Sequence, residues 1–346
     1  MISWPGAPLA LASAILFGAS TPIAKLLLGG ASPWMLAGLL YLGSGVGLAV
    51  LHLVWRSAEA PLRRSDLPWL AAVVLSGGVI GPGLLMVGLS ETAASTASLL
   101  LNLEGIATMA IAWLWFRENV DRRILSGAAS ILAGALLLSW QGGTGAFGWG
   151  TLAIAGACLA WGVDNNLTRK LSAADPVQIA MTKGLVAGAT NLVLAALAGA
   201  AWPATDAVIG AAIVGFLGYG VSLVLFVLGL RHLGTARTSA YFSTAPFIGA
   251  ILSIALFDDT VSVQLVLAAV LMGVGLYLHL VERHEHDHLH EEIEHEHRHV
   301  HDEHHQHVHG PDDPPGEPHT HRHRHARLRH SHPHYPDLHH RHGHAH

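Results

Sequence analysis

The chain has 346 residues, of which 51% are hydrophobic and 12% are charged, against about 25% charged in a water-soluble domain. Residues 1–281 consist of long apolar runs, whereas residues 282–346 hold 24 of the 27 histidines and 13 of the 24 acidic residues. This division excludes a wholly water-soluble protein, and the single cysteine, Cys158, excludes an intramolecular disulfide framework and a zinc site built from several cysteines.

Ten apolar stretches are predicted to be membrane-spanning helices, because a bilayer core about 30 Å thick needs about 20 apolar residues per helix. No Lys or Arg precedes Lys25, so the first stretch is expected to be a retained span rather than a cleaved signal. The third is the least regular, because the glycines and proline of residues 77–83 should bend or break a helix. The stretches are 7–28, 33–54, 68–89, 95–116, 123–141, 147–169, 177–200, 208–230, 236–256 and 262–281.

The basic residues of this part lie in alternate loops. Cytoplasmic loops of membrane proteins are enriched in Lys and Arg, so the basic loops and both termini are predicted to be cytoplasmic. The intervening loops, including residues 29–33 and 142–146, carry no Lys or Arg. We therefore expect a multi-pass protein of a bacterial-type inner (plasma) membrane. The basic loop residues are Arg56, Arg63, Arg64, Arg117, Arg122, Arg123, Arg169, Lys170, Arg231, Arg237 and Arg283.

Short motifs of the first half recur in the second. Phe17-Gly18 matches Trp161-Gly162 at an offset of 144 residues, and Glu104-Gly105 matches Ala245-Pro246 at an offset of 141. Each half holds five predicted spans, and an odd number makes the halves enter the membrane from opposite sides. The expected fold is an all-α integral membrane protein of ten transmembrane helices. They form two inverted five-helix repeats, residues 1–141 and 142–281, followed by a tail, residues 282–346.

On these motifs the chain resembles the EamA family of the drug/metabolite transporter superfamily over residues 7–281. The resemblance implies a permease that moves a small molecule, often outward, and it does not extend to the histidine-rich tail. Gly105 stands where the family usually has proline. The residues that carry the resemblance are Ala97-Ser98, Glu104-Gly105 and Glu118 in the first half, and Thr238-Ser239, Ala245-Pro246 and Asp259 in the second.

Four ionisable residues lie within the predicted spans. Asp164 and Lys183 flank one loop at depths of about 8 and 9 Å from the inner boundary, at 1.5 Å per residue, so an ion pair is predicted. Glu104 and Lys25 differ in depth by about 9 Å, part of which a lysine stem can bridge. The candidate pathway residues are Asp164, Asn165, Lys183, Glu104, Asn102 and Lys25.

Two interpretations of these polar residues stay open. In the first, the polar residues fix the register of neighbouring helices without a role in transport, and Lys25 extends its amine to the outer headgroups. Alternatively they bind substrate or a coupling ion, because ionisable residues within a membrane mark transport pathways. Asn165 and Asn166 favour the second interpretation, since they add more hydrogen-bonding groups than one ion pair needs.

In the tail, histidine alternates with charged residues in two blocks that residues 310–318 separate. The cytoplasmic tail is predicted to be disordered or partly helical, and an extended strand would place every second residue on one side. Paired imidazoles bind Zn, Ni, Co or Cu, so metal binding is expected without a fixed coordination site. The candidate ligands are His284, His286, His288, His290, His295, His297, His299, His301, His305 and His309.

The sequence has no glycine-rich phosphate loop, nucleophile elbow or His-Glu-x-x-His motif, so no enzyme and no required cofactor are predicted. Three hypotheses remain: an exporter of a small metabolite or divalent metal with a metal-gathering tail, a membrane-anchored metal buffer or sensor, and a metabolite exporter with an incidental tail. The expected partners are the lipid bilayer and a small-molecule or metal substrate, with a homodimer left open and no nucleic acid.

Overall fold

The computed structural model describes residues 6–54, 60–116, 122–140, 148–171 and 174–280, and in the tail residues 285–290, 293–299, 319–325 and 328–333. The part before the tail is helical. Its α-helices are α1 (Gly6–Leu27), α2 (Pro33–Val54), α3 (Leu67–Val73), α4 (Gly81–Glu91), α5 (Ala94–Leu100), α6 (Leu103–Phe116), α7 (Arg122–Ser139), α8 (Trp149–Leu171), α9 (Pro176–Leu197), α10 (Thr205–Val214), α11 (Ser222–Phe242), α12 (Ala245–Phe257) and α13 (Val263–Leu280).

Within the part of the chain that the structure describes, seven helical segments are long and apolar enough to cross a membrane. They are Gly6–Leu27, Pro33–Val54, Arg64–Glu91, Ala94–Trp115, Arg122–Ser139, Pro176–Leu197 and Thr205–Gly229. Helix α8 carries Asp164, Arg169 and Lys170 and is not among them. The apolar helices α12 and α13 are shorter. A multi-pass membrane protein is therefore confirmed, whereas the count of ten spans stays a prediction.

Apolar side chains cover the outside of the helices. Leu53, Trp115, Trp149 and Leu197 are each 80–84% exposed, at positions near helix ends. A water-soluble protein rarely exposes so much contiguous apolar surface, whereas lipid accepts it. The tryptophans stand where an interfacial aromatic belt is expected.

The third predicted span is bent rather than broken. A π-helical segment, Val74–Ile80, joins α3 to α4, and Pro82 lies in the first turn of α4, where its missing N–H leaves a carbonyl of the preceding turn without a backbone donor. The sequence therefore located the irregularity correctly. A second π-helical segment, Gly215–Val221, joins α10 to α11 at an offset of 141 residues from the first, and this one was not predicted.

Both halves also contain an interrupted helix at corresponding positions. Leu101 and Asn102 separate α5 from α6, and Ser243 and Thr244 separate α11 from α12. The first interruption forms without the family's usual proline. The two halves thus repeat the same irregularities in the same order.

The connection expected at residues 231–235, between the eighth and ninth predicted spans, is helical in the structure. Helix α11 runs without interruption to Phe242, and the chain breaks only before α12, where Pro246 lies in the first turn. Residues 231–238 contain no proline, so their polar residues do not stop the helix. Composition alone placed a loop there because it cannot distinguish a polar helical segment from a connection.

Glycines bring the two halves into direct backbone contact. Gly45 of α2 faces Gly184 and Leu185 of α9 so closely that a Cβ on Gly184 would lie 2.7 Å from the Gly45 Cα. Small residues permit such helix approaches in membranes, where packing drives helix association. The α2–α9 contact brings helices of the first and second halves together.

The described segments of the tail are extended. Four strands, β1 (Glu285–His290), β2 (Ile293–His299), β3 (His319–His325) and β4 (Leu328–Pro333), form the antiparallel pairs β1–β4 and β2–β3. The expectation of a disordered or partly helical tail therefore does not hold for these segments. The alternating sequence has the period of a strand, and the backbone register sets Glu294 opposite Arg324 and Glu296 opposite Arg322.

Candidate functional site

The ion pair predicted between α8 and α9 is confirmed. Lys183 Nζ lies 2.5 Å from Asp164 Oδ2, and the two side chains are 5% and 6% exposed. Thr168, one turn along α8, donates a hydrogen bond of 3.2 Å to Asp164 Oδ1. Both charges are buried together, so the attraction between them offsets part of the free-energy cost of removing each one from water.

The ion pair lies against the first π-helical segment. A π-helix leaves backbone carbonyls that need other partners. Tyr41 Oη and Trp161 Nε1 donate to the Gly77 carbonyl at 2.7 and 3.0 Å, and Asn191 Nδ2 donates to the Gly78 carbonyl at 3.0 Å. Side chains of α2, α8 and α9 thus fix this bend in span three.

Gly77 is the residue that lets the Asp164 carboxylate approach this bend. A Cβ at Gly77 would overlap the Asp164 carboxylate, whereas a Cβ at Gly273 of α13 would meet no heavy atom within 4 Å. We expect Gly77→Ala to lower the free energy of unfolding by about 1–3 kcal/mol through overpacking. Gly273→Ala, the matched control, should leave it unchanged or raise it. Thermal unfolding in detergent measures both, and equal effects would contradict the proposed contact.

Glu104 lies in the first turn of α6, directly after the helix interruption. Asn165 Nδ2 donates to Glu104 Oε1 at 2.8 Å and also approaches Thr108 Oγ1 at 3.2 Å. Among the described residues no Lys or Arg forms an ion pair with Glu104. A helix N-terminus favours a negative charge, so the fold accepts this carboxylate without supplying a counter-ion.

A chain of contacts through four helices, α6, α8, α1 and α11, starts at Glu104 and returns to its neighbour Gly105. Trp161 lies one turn from Asn165 on α8, and its ring centroid is 5.9 Å from that of Phe17 on α1. Phe17 lies 5.3 Å from Phe242 at the end of α11. A Cβ placed on Gly105 would lie 3.7 Å from Ser243 Oγ, which closes the circle. We call Glu104, Asn165, Trp161, Phe17 and Phe242 the central ring.

Four of the five residues of the central ring are not fully buried. Glu104, Asn165, Phe17 and Phe242 are all partly exposed, although each lies within a helix of the membrane part. Tyr219, from the second π-helical segment, extends the aromatic side of the ring, with its centroid 5.8 Å from Phe17. The arrangement joins one carboxylate and one amide to a wall of aromatic rings.

Two other predicted residues lie apart from Glu104. Asn102 is buried in the helix interruption, where Nδ2 donates to the Leu99 carbonyl at 2.9 Å and lies 3.7 Å from Met272 Sδ. Lys25 does not reach Glu104. Its Nζ donates to the carbonyls of Leu89 and Thr92 at 2.5 and 3.1 Å, at the end of α4. Lys25 therefore binds a helix C-terminus, which attracts a positive charge.

Sequence reasoning missed the aromatic members of the central ring. Tryptophan and phenylalanine are common in any apolar helix, so their composition gave no signal. The usable signal was the repeat itself, because Phe17 and Trp161 occupy matching positions in the two halves and contact each other in the fold.

The candidate metal ligands of the tail divide into two groups. His286, His288 and His290 lie in β1 and His295, His297 and His299 in β2, whereas His284, His301, His305 and His309 lie outside the described residues. Among the side chains that the structure describes, no group of three or more His, Cys, Asp or Glu is placed to hold a metal ion.

The EamA-like transporter family matches this chain twice, over residues 4–140 and 148–281. These two segments span most of the chain and correspond to the two halves that share irregular helices. The chain belongs to the EamA-like transporter family.

Relatives carry names that agree with this family. The chain is 25% identical over 287 residues to an uncharacterized transporter of Methanothermobacter thermautotrophicus. The alignment covers 78% of this chain and 84% of the relative. It is 24% identical over 278 residues to the uncharacterized transporter YyaM of Bacillus subtilis, covering 77% and 90%. A crystal structure of another protein has a similar fold, with a TM-score of 0.60 and 20% identity over 79% of this chain and 95% of its own. Family and relatives indicate a membrane transporter rather than an enzyme.

Proposed function

We propose that this EamA-family protein is a secondary transporter that exports a small organic molecule across the inner membrane, with its binding site at the central ring. The observation that carries the proposal is Glu104, a carboxylate at a mid-membrane helix interruption that Asn165 orients at 2.8 Å and that no described cation neutralises. Ionisable residues within a membrane mark transport pathways.

Alternating access of two inverted halves supplies the mechanism. The support is the repeated pair of irregularities, the π-helical segments and the helix interruptions, which both halves contain in the same order. Interrupted helices at the interface of two repeats are the usual place for a transporter's substrate site. With basic loops and both termini cytoplasmic, the central ring is exposed alternately to the two sides.

One end of the molecule is held together by loop contacts, which we take as the outer end from the loop charges. Lys25 of α1 binds the carbonyls of Leu89 and Thr92, and Asp259 Oδ2 accepts a hydrogen bond of 3.0 Å from the backbone N–H of Ser95. Both contacts bind residues at the connection between α4 and α5. They hold the outer end closed and separate when the transporter opens outward.

Comparison of exported metabolites tests the proposal. Cells that express the wild type are expected to enrich at least one small organic molecule in the medium relative to cells with an empty vector. Glu104→Gln keeps the size of the side chain but removes its charge, and its medium should match that of the empty vector. The amount of each protein in the membrane fraction is the control. Unchanged export by a normally inserted Glu104→Gln protein would overturn the assignment of the site.

The tail supports a second function, the binding of divalent metal such as Zn, Ni, Co or Cu on the cytoplasmic side. Its support is the backbone register, which sets His295, His297 and His299 of β2 opposite His323, His321 and His319 of β3. Residues two apart lie on one face of a strand, so these six histidines share one face of the pair. In an exporter of metal or chelated metal the tail gathers the cargo. In a buffer or sensor it acts alone, and in a metabolite exporter it is incidental.

A further inference from the structure

We infer that the central ring binds a small organic cation, with an amine or quaternary ammonium group at Glu104 and a flat apolar body against Trp161, Phe17 and Phe242. This inference deepens the proposed function and rests on it. It assigns the chemical class of the substrate from the charge and the walls of the site.

The charge of the site follows from which ionisable groups are already paired. Asp164 and Lys183 neutralise each other at 2.5 Å, and Lys25 is bound to helix carbonyls. Glu104 is left with one amide donor from Asn165. A carboxylate within a membrane is stable with a counter-charge or a proton, so the complementary ligand is a cation that takes the place of the proton.

The walls of the site select an organic cation over an inorganic one. Aromatic faces attract cations through their quadrupoles, and Phe17 contacts three other aromatic rings, those of Trp161, Tyr219 and Phe242, at centroid distances of 5.3–5.9 Å. These walls remove water from apolar surface, and apart from the Tyr219 hydroxyl they contribute no oxygen ligands. A metal ion requires several such ligands, whereas an ammonium group on an aromatic or aliphatic body matches one carboxylate and several rings.

The polar residues next to Glu104 occupy one side of its carboxylate. Asn165 donates to Glu104 Oε1 and also lies 3.2 Å from Thr108 Oγ1, so one side of the carboxylate is occupied by α8 and α6. The ligand therefore approaches from the side of Phe17 and Phe242. A single carboxylate then binds a single positive charge.

Binding of three probes of nearly equal shape tests the inference. They are 2-phenylethylamine, which is a cation at neutral pH, 2-phenylethanol, which is neutral, and 3-phenylpropanoate, which is an anion. Purified full-length protein in detergent is titrated with each by calorimetry. We expect the amine to bind at least ten times more tightly than either other probe, and Glu104→Gln to weaken amine binding at least tenfold. Failure of the amine to bind, or equal binding of all three, would overturn the inference.

Further variants separate the charge from general damage to the fold. Glu104→Asp keeps the charge and should retain part of the preference for the amine. Trp161→Ala should weaken amine binding by about two- to fivefold, the effect of one cation–π contact, and Trp161→Phe by less. Identical loss in Glu104→Asp and Glu104→Gln would show that charge is not what binds.

The inference and the proposed function fail in different ways. If Glu104-dependent export of some metabolite is observed but no cationic probe binds, the transporter proposal stands and the substrate class is wrong. If the amine binds at Glu104 but no metabolite is exported, the site is real and the direction or transport role is wrong.

Discussion

Asp164→Asn is expected to abolish transport and to lower the free energy of unfolding by about 3–5 kcal/mol, the cost of removing one partner of a buried ion pair. Lys183 would keep a charge whose only described carboxylate partner, 2.5 Å away, is gone. Thr168 would also lose its charged acceptor. Membrane insertion should be unaffected, because an amide costs less than a carboxylate in lipid. Chemical unfolding in mixed micelles and an export assay measure the two effects.

The double variant Asp164→Asn/Lys183→Met distinguishes the two interpretations of this pair. It removes both charges, so most of the lost stability should return. If the pair serves only helix register, transport returns with it. If the pair belongs to the pathway, transport stays absent in a stable protein, which is the result we expect.

Asp206→Asn is the matched control for this experiment. Asp206 lies exposed in the first turn of α10, and surface substitutions of this kind change stability by about 0.5 kcal/mol or less. A loss of several kcal/mol in this control would mean that the assay does not report on the buried pair.

Deleting residues 282–346 is expected to remove nearly all of the Zn or Ni that the purified protein binds, while its unfolding temperature in detergent stays the same. The remaining residues 1–281 hold only three of the 27 histidines. Metal content is measured by mass spectrometry after equilibrium dialysis. A truncated protein that still binds several equivalents of metal would place the metal site in the membrane part.

A pair of triple variants tests the register of the strands. Replacing His319, His321 and His323 by Asn removes the histidines that the backbone register pairs with β2, whereas replacing His342, His344 and His346 by Asn removes as many outside the described residues. The first set should weaken the tightest metal binding by about tenfold or more, since even outer partners of metal ligands contribute about 10–100-fold. Equal effects of the two sets would mean that histidine number, and not the strand pairing, determines binding.

The membrane architecture could be predicted from sequence because lipid imposes simple demands. Each span needs length and apolar composition, and these requirements are visible in the chain without any tertiary contact. The helical form of the connection at residues 231–235 was not predicted, because a helix of polar residues and a polar loop have the same composition. The second π-helical segment was missed because Gly215, Gly218 and Gly220 are spaced among apolar residues, a pattern that also suits helix packing.

The candidate site was predicted only in part. The ion pair between Asp164 and Lys183 followed from depth along two helices joined by a short loop, which is a local property of the chain. Pairing of Asn165 with Glu104 links residues 61 apart, and helix depth does not fix rotation or neighbours at that range. The approach of Lys25 to the end of α4 was missed for the same reason, since backbone carbonyls are acceptors at every helix C-terminus.

The sequence by itself determined that this is a multi-pass membrane protein built from two related halves with a histidine-rich tail. Hydropathy, loop charge and internal repetition are properties of a linear chain, so no structure was needed to read them. Only the tertiary structure decided which polar groups pair with each other and that Glu104 has no cationic partner among the described residues. It pairs Asp164 with Lys183, binds Lys25 to helix carbonyls, and places Glu104 beside Asn165. Those partners are chosen by how helices rotate and pack, which no local pattern specifies.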